Sequence, residues 1–441
     1  MSYQTKDHFT GNVFKEILPY GGKLNPDNRW IKLSHLVPWE ILEGIYRKYF
    51  SPLGRPAKDS RLINGLIIAK HLGRYSDEEI VVEEFQENIY LQYFCGYDQL
   101  VVGQEIHPTT LSKMRKRVGQ EYFSRFEEEI LKVLKDKKLI RRTKEMQLDA
   151  TVFPVNITYP TDVGLLDKAR RWVVGKIKVI KKVVGIKDNI RTYARKAKQV
   201  FLSFSKKRKR TGQEVRRVTR QMLQYLSRNL KQIKGLLDKG GEVISGIESG
   251  IRQRLEVIEK IYQQQFTMFK EKVHRISERI VSIHRSHIRP IVRRKNGKEV
   301  EFGPKCLISY VDGYGFLDEF GYEAYNEGGK LEDSLELHKK RFGVAPKVVI
   351  GDQIFGSKQN RNKLKELGIE GSFMPLGRCN NISSTEIQRI KKRQKRRGRM
   401  EGIIGHSKMN FGLDRLRYAN EKIEVMLGLI AMNLKTAVSR V

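Results

Sequence analysis

The spacing of apolar residues changes period several times along the chain. Residues 1–53 hold no sustained period, with Trp30 and Trp39 as their natural packing anchors. From Pro56 to about Ile140 the pattern is helical, and Leu62, Leu66, Ile67 and Leu72 fall near helical spacing. Ser76 followed by Glu79 is a capping-box pair, so a helix starts there. A third helix opens at Pro108–Thr110 and runs through LSKMRKRV to a stop at Gly119. At residues 145–153 the period becomes two. Met146, Leu148, Ala150 and Val152 alternate with Gln147, Asp149, Thr151 and Phe153, which predicts a strand with Asp149 on the face opposite the apolar set.

Between Pro160 and Pro290 there is no proline. Two apolar series occupy the later part of this stretch. Val215, Val218, Met222, Leu226, Leu230, Ile233 and Leu237 form one; Leu255, Ile258, Tyr262, Phe266, Phe269, Val273, Ile276, Ile280 and Ile283 form the other. Steps of three and four predict a coiled-coil-like seam, and Gly240–Gly241 breaks the two arms into an antiparallel helical hairpin. Beyond Pro290 strands return. Residues 305–311 and 314–320 flank Asp312–Gly313, a hairpin-turn pair. Residues 331–342 read as helix, 347–351 as a short strand, 358–367 as helix, 369–374 as strand, and the last 40 residues as helical. A mixed sheet with flanking helices, an α/β architecture, is the expectation. The corresponding divisions are a leader (1–53), a helical domain (54–142), an α/β domain (143–163 and 291–441) and a basic helical insertion (164–290).

Charge changes the picture. Lys and Arg number 86 against 50 Asp and Glu, a net +36, while 39% apolar residues are enough for a core. Residues 164–235 alone hold 23 Lys and Arg against 3 Asp and Glu. Such an excess calls for a polyanion, with nucleic acid first and a membrane surface second. No apolar run approaches the 18 residues a spanning helix needs, and MSYQTKDHFT lacks a signal pattern. Cys95, Cys306 and Cys379 are sparse and form no CxxC pair, which excludes a zinc ribbon and suits a reducing, cytoplasmic compartment. Neither a P-loop nor a strand-linked GxGxxG is present, so ATP- or NAD-driven chemistry has no support.

Lys113, Arg115, Lys116 and Arg117 sit on the third helix, which fits a helix-turn-helix-like DNA-binding module; taken alone, the residues favour a bundle with a solvated charged face. Three carboxylates stand out by position: Asp149 on the first α/β strand, Asp352 directly after the strand KVVIG, and Glu401 within the helical RRGRMEGIIGHSK. Functional groups gather at the carboxyl ends of strands in open α/β sheets. Carboxylates delivered from separate elements suit hard cations such as Mg²⁺. Two such ions about 4 Å apart can clamp the attacking and leaving oxygens of a phosphoryl transfer. Each acid also has a structural reading: an edge polar residue, a helix N-cap, and an arginine partner. Asp312, Asp318, Glu301 and Glu327 are carboxylates of the same kind. His284 and His287, at i, i+3 amid arginines, lack an evident third metal ligand, and His107 and His406 have no assigned role.

Over most of its length the chain resembles a DDE-type insertion-sequence transposase of bacteria. The resemblance lies in GRPAKDSRLINGL, SDEEI, LQYFCGY and TTLSKMRKRVG, then in QLDATVFP and YPTDVGLL around the first acid. It continues through FGPK, VDGYGF and YNEGGKL to GDQIFGSKQNRNKLKELGI, which carries the second acid. Arg397, Glu401 and Lys408 match the family's Tyr-x2-Arg-x3-Glu-x6-Lys spacing, with Gln394 at the tyrosine position. The resemblance implies an RNase H-like core and catalysis by Asp149, Asp352 and Glu401 holding two Mg²⁺, with Mn²⁺ as a substitute. It also implies cutting and joining of double-stranded DNA ends by a paired, homodimeric assembly at the nucleoid. Arg397 and Lys408 share a helical face with Glu401 and are expected to hold phosphates rather than point into the metal site. Lys206, Lys207, Arg208, Lys209 and Arg210 are expected DNA-backbone contacts, as is the run from Arg389 to Arg399. Two rival readings stay open: a non-catalytic DNA-binding protein, and an RNase H-like nuclease that cuts without joining.

Overall fold

The computed structural model describes residues 19–22, 24–295, 298–376 and 383–441. Residues 1–18 of the expected leader and Cys379 therefore lie outside the described residues. The chain divides into two units, residues 1–156 with 304–441, and residues 157–303.

The first unit begins with α1 (Arg29–Ser34), α2 (Trp39–Arg47) and α3 (Ser60–Gly73). Asp59 caps α3 by accepting from the Leu62 amide, and Arg74 ends it in the left-handed region. The capping box forms as the sequence predicts. Ser76 accepts from the Glu79 amide and Glu79 from the Ser76 amide, opening α4 (Asp77–Glu79). A π turn at Ile80–Glu84 leads into α5 (Phe85–Glu87) and α6 (Ile89–Phe94). The predicted stop at Gly119 is a kink instead. The helix α7 runs Thr109–Asp136, with Gly119 alone in it at φ 70° and ψ −172°.

The sheet follows. β1 (Glu145–Val152) is its centre. The second unit intervenes in the chain with α8 (Asp162–Val184), α9 (Ala194–Ser205), α10 (Gly212–Gly240), α11 (Ser245–Glu271), β2 (Pro290–Lys295) and β3 (Lys298–Phe302). The first unit then resumes with β4 (Lys305–Val311), β5 (Tyr314–Gly321), α12 (Leu331–Phe342), β6 (Val348–Ile350), α13 (Lys358–Glu366), β7 (Glu370–Ser372), α14 (Ser384–Asn410) and α15 (Glu421–Val438). The sheet order is β5-β4-β1-β6-β7; β4 runs antiparallel to both β1 and β5, and β6 and β7 run parallel to β1. The β4–β5 turn uses Asp312 and Gly313, both at positive φ, as the Asp-Gly pair predicts.

The N-terminal helices close no core of their own. Trp30, Trp39, Leu42, Leu66, Phe94 and Phe126 belong to one apolar cluster with Leu148, Leu307, Phe316 and Leu427. The expected boundary at residue 142 is thus not a break in packing, and the leader's α1 and α2 are part of the fold. The reason is α15. It is almost wholly buried and packs against α3, α7 and β5, which joins the helices to the sheet. The last 40 residues are not one helix either. Residues 411–420 leave the helical path, and Leu416 makes a parallel bridge to Val155.

The second unit has its own core, built from Leu166, Val173, Ile177, Met222, Leu226, Ile233 and Ile258 among others. It is larger than the two-arm hairpin the sequence suggests. α10 packs chiefly on α8 and only secondarily on α11. Gly240–Gly241 does separate α10 from the next helix, with Gly241 at φ 44°. The second apolar series is helical only to Glu271, because Lys272 turns into the left-handed region. Ile280 and Ile283 are nonetheless buried, from an irregular segment, while Val273 is exposed. Strands β2 and β3 form a two-stranded ribbon within this unit rather than joining the sheet.

Candidate active site

The pairing of β1 with β6 positions the first two acids. Gln147 lies opposite Ile350 in a parallel register. Asp149 and Asp352 each stand two residues further on, at one level of adjacent strands about 4.8 Å apart; Asp149 is still within β1, opposite Ile308 of β4, and Asp352 lies just beyond the end of β6. Asp149 is half-buried, and its carboxylate accepts from the Ala150 amide at 2.9 Å. Asp352 does serve as an N-cap. It accepts from the Gln353 amide at 2.7 Å at the start of the 3-10 turn Gln353–Gly356. The third acid arrives on α14, which lies against β1, β6 and β7.

Arg397 connects them. Its guanidinium is 2.7 Å from Asp352 and 3.4 Å from Glu401. Burial disfavours its charge, but the hydrogen bond and attraction from Asp352, with attraction from Asp149 and Glu401, outweigh this and raise its pKa. Asp352 and Glu401 therefore share one cation, which the charge of Asp149 also favours. This corrects the expectation that Arg397 points away: one turn before Glu401 on the same helical face, it fills the space between the carboxylates.

The donor chemistry, oxygen only, fits a hard divalent cation. Arg397 lies between Asp352 and Glu401, and among the described residues no group of three or more His, Cys, Asp or Glu is close enough to hold a metal. Binding would require the guanidinium to withdraw.

Three arginines of the rest of the basic run fix α14. Arg389 and Arg393 pair with Glu370 on β7, and Arg396 pairs with Glu145 on β1 at 2.9 Å. Lys391, Lys392 and Lys395 remain exposed. Lys408 donates to the Val152 carbonyl at 2.8 Å and lies 5.5 Å from the Phe153 ring, so it secures the end of β1. Gln394 had no assigned role. Its amide donates to the carbonyl of Gly351 at 3.1 Å and to that of Ser372, tying α14 to the residue before Asp352. The available signal was its place one turn before Arg397 on the same face.

The other carboxylates are occupied elsewhere. Asp312 pairs with Arg440, Asp318 with Arg341, and Glu327 with Lys305. Glu301 lies on β3 in the second unit. His107 bonds Thr109 and His406 bonds Asn410. Burial, then the charges of Arg254 and Lys168, lowers the pKa of His284, which suits a neutral imidazole.

The basic α7 segment divides. Lys113 and Lys116 are exposed, and Arg117, also exposed, donates to the Tyr49 carbonyl. Arg115 is buried, paired with Asp77 and stacked 3.9 Å from the Tyr418 ring, where a DNA groove cannot reach it. Lys206 to Arg210 form an exposed loop between α9 and α10. Within it Lys207 pairs with Glu214, and Arg210 donates to the Ser205 carbonyl.

Comparison with known proteins agrees with a DNA-processing role. Residues 19–117 match the family described as Transposase domain (DUF772). The chain is 34% identical over 157 residues to the Uncharacterized protein ORF8 in nfe locus of Rhizobium meliloti, covering 34% of this chain and 73% of that protein. The chain thus belongs to one family with that protein, and the domain matched over residues 19–117 supports a transposase family. No solved structure matches it. Among the described residues no helix is long and apolar enough to cross a membrane.

Proposed function

We propose that the protein is a DDE transposase with an RNase H-like core. It binds the inverted repeats at the ends of its element as a paired assembly and cuts and joins DNA. The observation that carries this reading is the ion pairing of Arg397 with Asp352 and Glu401, from a strand end and a helix, together with the parallel register that brings Asp149 of β1 level with Asp352. The sheet order, with β1 central and two antiparallel strands on one side, also supports it.

Asp149, Asp352 and Glu401 would hold two Mg²⁺, or Mn²⁺, which when bound supply charge neutralisation for phosphodiester cleavage and strand transfer. The main-chain amides of Ala150 and Gln353 orient the two aspartates. Arg397, once displaced, is left beside the site to hold a DNA phosphate. Exposed Lys113, Lys116, Lys391, Lys392, Lys395 and the Lys206–Arg210 loop supply further phosphate contacts.

Asp149→Asn, Asp352→Asn and Glu401→Gln should each abolish Mg²⁺-dependent cleavage of element-end DNA while gel-shift binding persists. Full cleavage by any one variant removes that residue from the site. One observation favours a second reading, a DNA-binding protein without catalysis: Arg397 already neutralises two of the acids. End-DNA binding with no cleavage in Mg²⁺ or Mn²⁺ would select it. Cleavage without strand-transfer products would select a nuclease.

A further inference from the structure

The second unit holds a groove unlike a duplex-binding surface. It encloses about 840 Å³ between α10 and α11, with Lys196 of α9 at its edge. α10 contributes Arg220, Arg228 and Lys231, all exposed, with Gln221, Gln224 and Gln232. These residues recur on one helical face. From α11 come Tyr262, Phe266 and Phe269, spaced four and three apart, and Tyr225 of α10 completes an aromatic floor. Among the described residues no carboxylate lines it. The sequence pattern reads the α11 stripe as the apolar seam of a hairpin. Because α10 packs chiefly on α8, this half of the seam is left uncovered, and Phe266 is 45% exposed. The Tyr262 and Phe266 rings stack at 6.0 Å and 20°, and Arg216 lies 4.3 Å from Phe269.

We propose that this groove binds a short unpaired stretch of DNA strand, its bases on the Tyr262–Phe266–Phe269 stripe and its phosphates on Lys196, Arg220, Arg228 and Lys231. The proposal rests on the DNA-processing reading and adds to it a second class of DNA contact. A paired duplex offers phosphates to cations but keeps its base faces stacked inside, so it gives exposed rings nothing to bind. Unpaired bases present those faces, and aromatic stripes flanked by cations take them with little sequence preference. Glutamine amides can serve the freed base edges.

The test uses the full chain and three fluorescently labelled probes: a 12-residue oligo-dT, the RNA equivalent, and a 25-base-pair duplex. A fourth oligonucleotide carries 2-aminopurine. The expected result is quenching of 2-aminopurine on binding. Phe266→Ala should weaken oligo-dT by about 5- to 150-fold, the range for losing one base stack, with duplex affinity unchanged. Because Phe266 is exposed, that variant should fold; Arg220→Gln, also exposed, should reduce the salt dependence of oligo-dT binding as a second check. Unchanged oligo-dT affinity in Phe266→Ala, absence of quenching, or tighter binding of the RNA would overturn the proposal. Displacement of oligo-dT by poly-glutamate at equal charge would do so too, by showing that charge alone is recognised. If duplex binds but Phe266→Ala has no effect, the groove assignment alone fails. If no DNA binds, the proposed function fails with it.

Discussion

Replacing Asp77 by alanine tests the buried placement of Arg115 against its reading as a DNA contact. Asp77 is ion-paired with two cations, Lys70 at 2.8 Å and Arg115, which Glu424 also attracts from further off, and both cations lie over the Tyr418 ring, at 4.3 and 3.9 Å. Their side chains are 11% and 7% exposed. Removing the carboxylate leaves two positive charges poorly hydrated beside each other. Loss of one partner of a buried pair costs about 3–5 kcal/mol, because the surviving charge is uncompensated. That is a large share of the roughly 5–15 kcal/mol that stabilises a typical domain. Urea unfolding followed by tryptophan fluorescence measures it, since Trp30 and Trp39 are buried in the same core. The effect should depend on pH. Burial raises the Asp77 pKa, but Arg115 and Lys70 outweigh it and hold it below the usual 3.8. A lowered carboxylate pKa contributes stability above the unfolded value and loses it as pH falls through the folded value, so wild type and variant should converge in acid. Arg115→Ala should likewise lose stability and should weaken element-end and random DNA equally. A cost below about 1 kcal/mol for Asp77→Ala, or selective loss of end-DNA binding in a fully stable Arg115→Ala, would refute the buried network.

Three further outcomes follow from the geometry. Glu127 has a buried oxygen with no partner, and burial first, then Asp318 and Glu128, raises its pKa from 4.5 to about 7. Stability from this group is full below pH 4.5 and lost as pH rises through 7, so Glu127→Gln should be more stable than wild type at pH 8, by at most about 3 kcal/mol, and gain nothing at pH 4. Gln394→Ala should cost about 1–2 kcal/mol by leaving two carbonyls without their donor and should reduce cleavage by misplacing Asp352; an unchanged melting temperature would contradict the tie. Neutralising Lys206, Lys207, Arg208, Lys209 and Arg210 should flatten the salt dependence of DNA binding by about 0.9 in slope for each phosphate that the loop no longer neutralises, and an unchanged slope in a gel-shift series would show that this loop does not meet DNA.

Local signals decided much of this protein. The capping box at Ser76–Glu79, the Asp312–Gly313 turn, the period-two strand around Asp149 and the break at Gly240–Gly241 each rest on neighbours in sequence, and each appears in the fold. The order of strands and helices in the α/β part was legible for the same reason. Asp149, Asp352 and Glu401 stood out by their places in local elements, but it is the motif resemblance that sets them apart from Asp312, Asp318, Glu301 and Glu327. What filled the space between them was not local. Arg397 points inward because α14 is pinned across the sheet by Glu145 and Glu370, residues far away in the chain. Arg115 looks like its exposed neighbours in sequence but is buried, since its environment is made by Tyr418, some 300 residues later. The merging of the N-terminal helices with the sheet depends on α15, and the open aromatic groove on α10 choosing α8 over α11. A periodic pattern specifies which face of an element is apolar; which partner covers that face, and whether a charge meets a counter-charge or water, is decided by long-range packing.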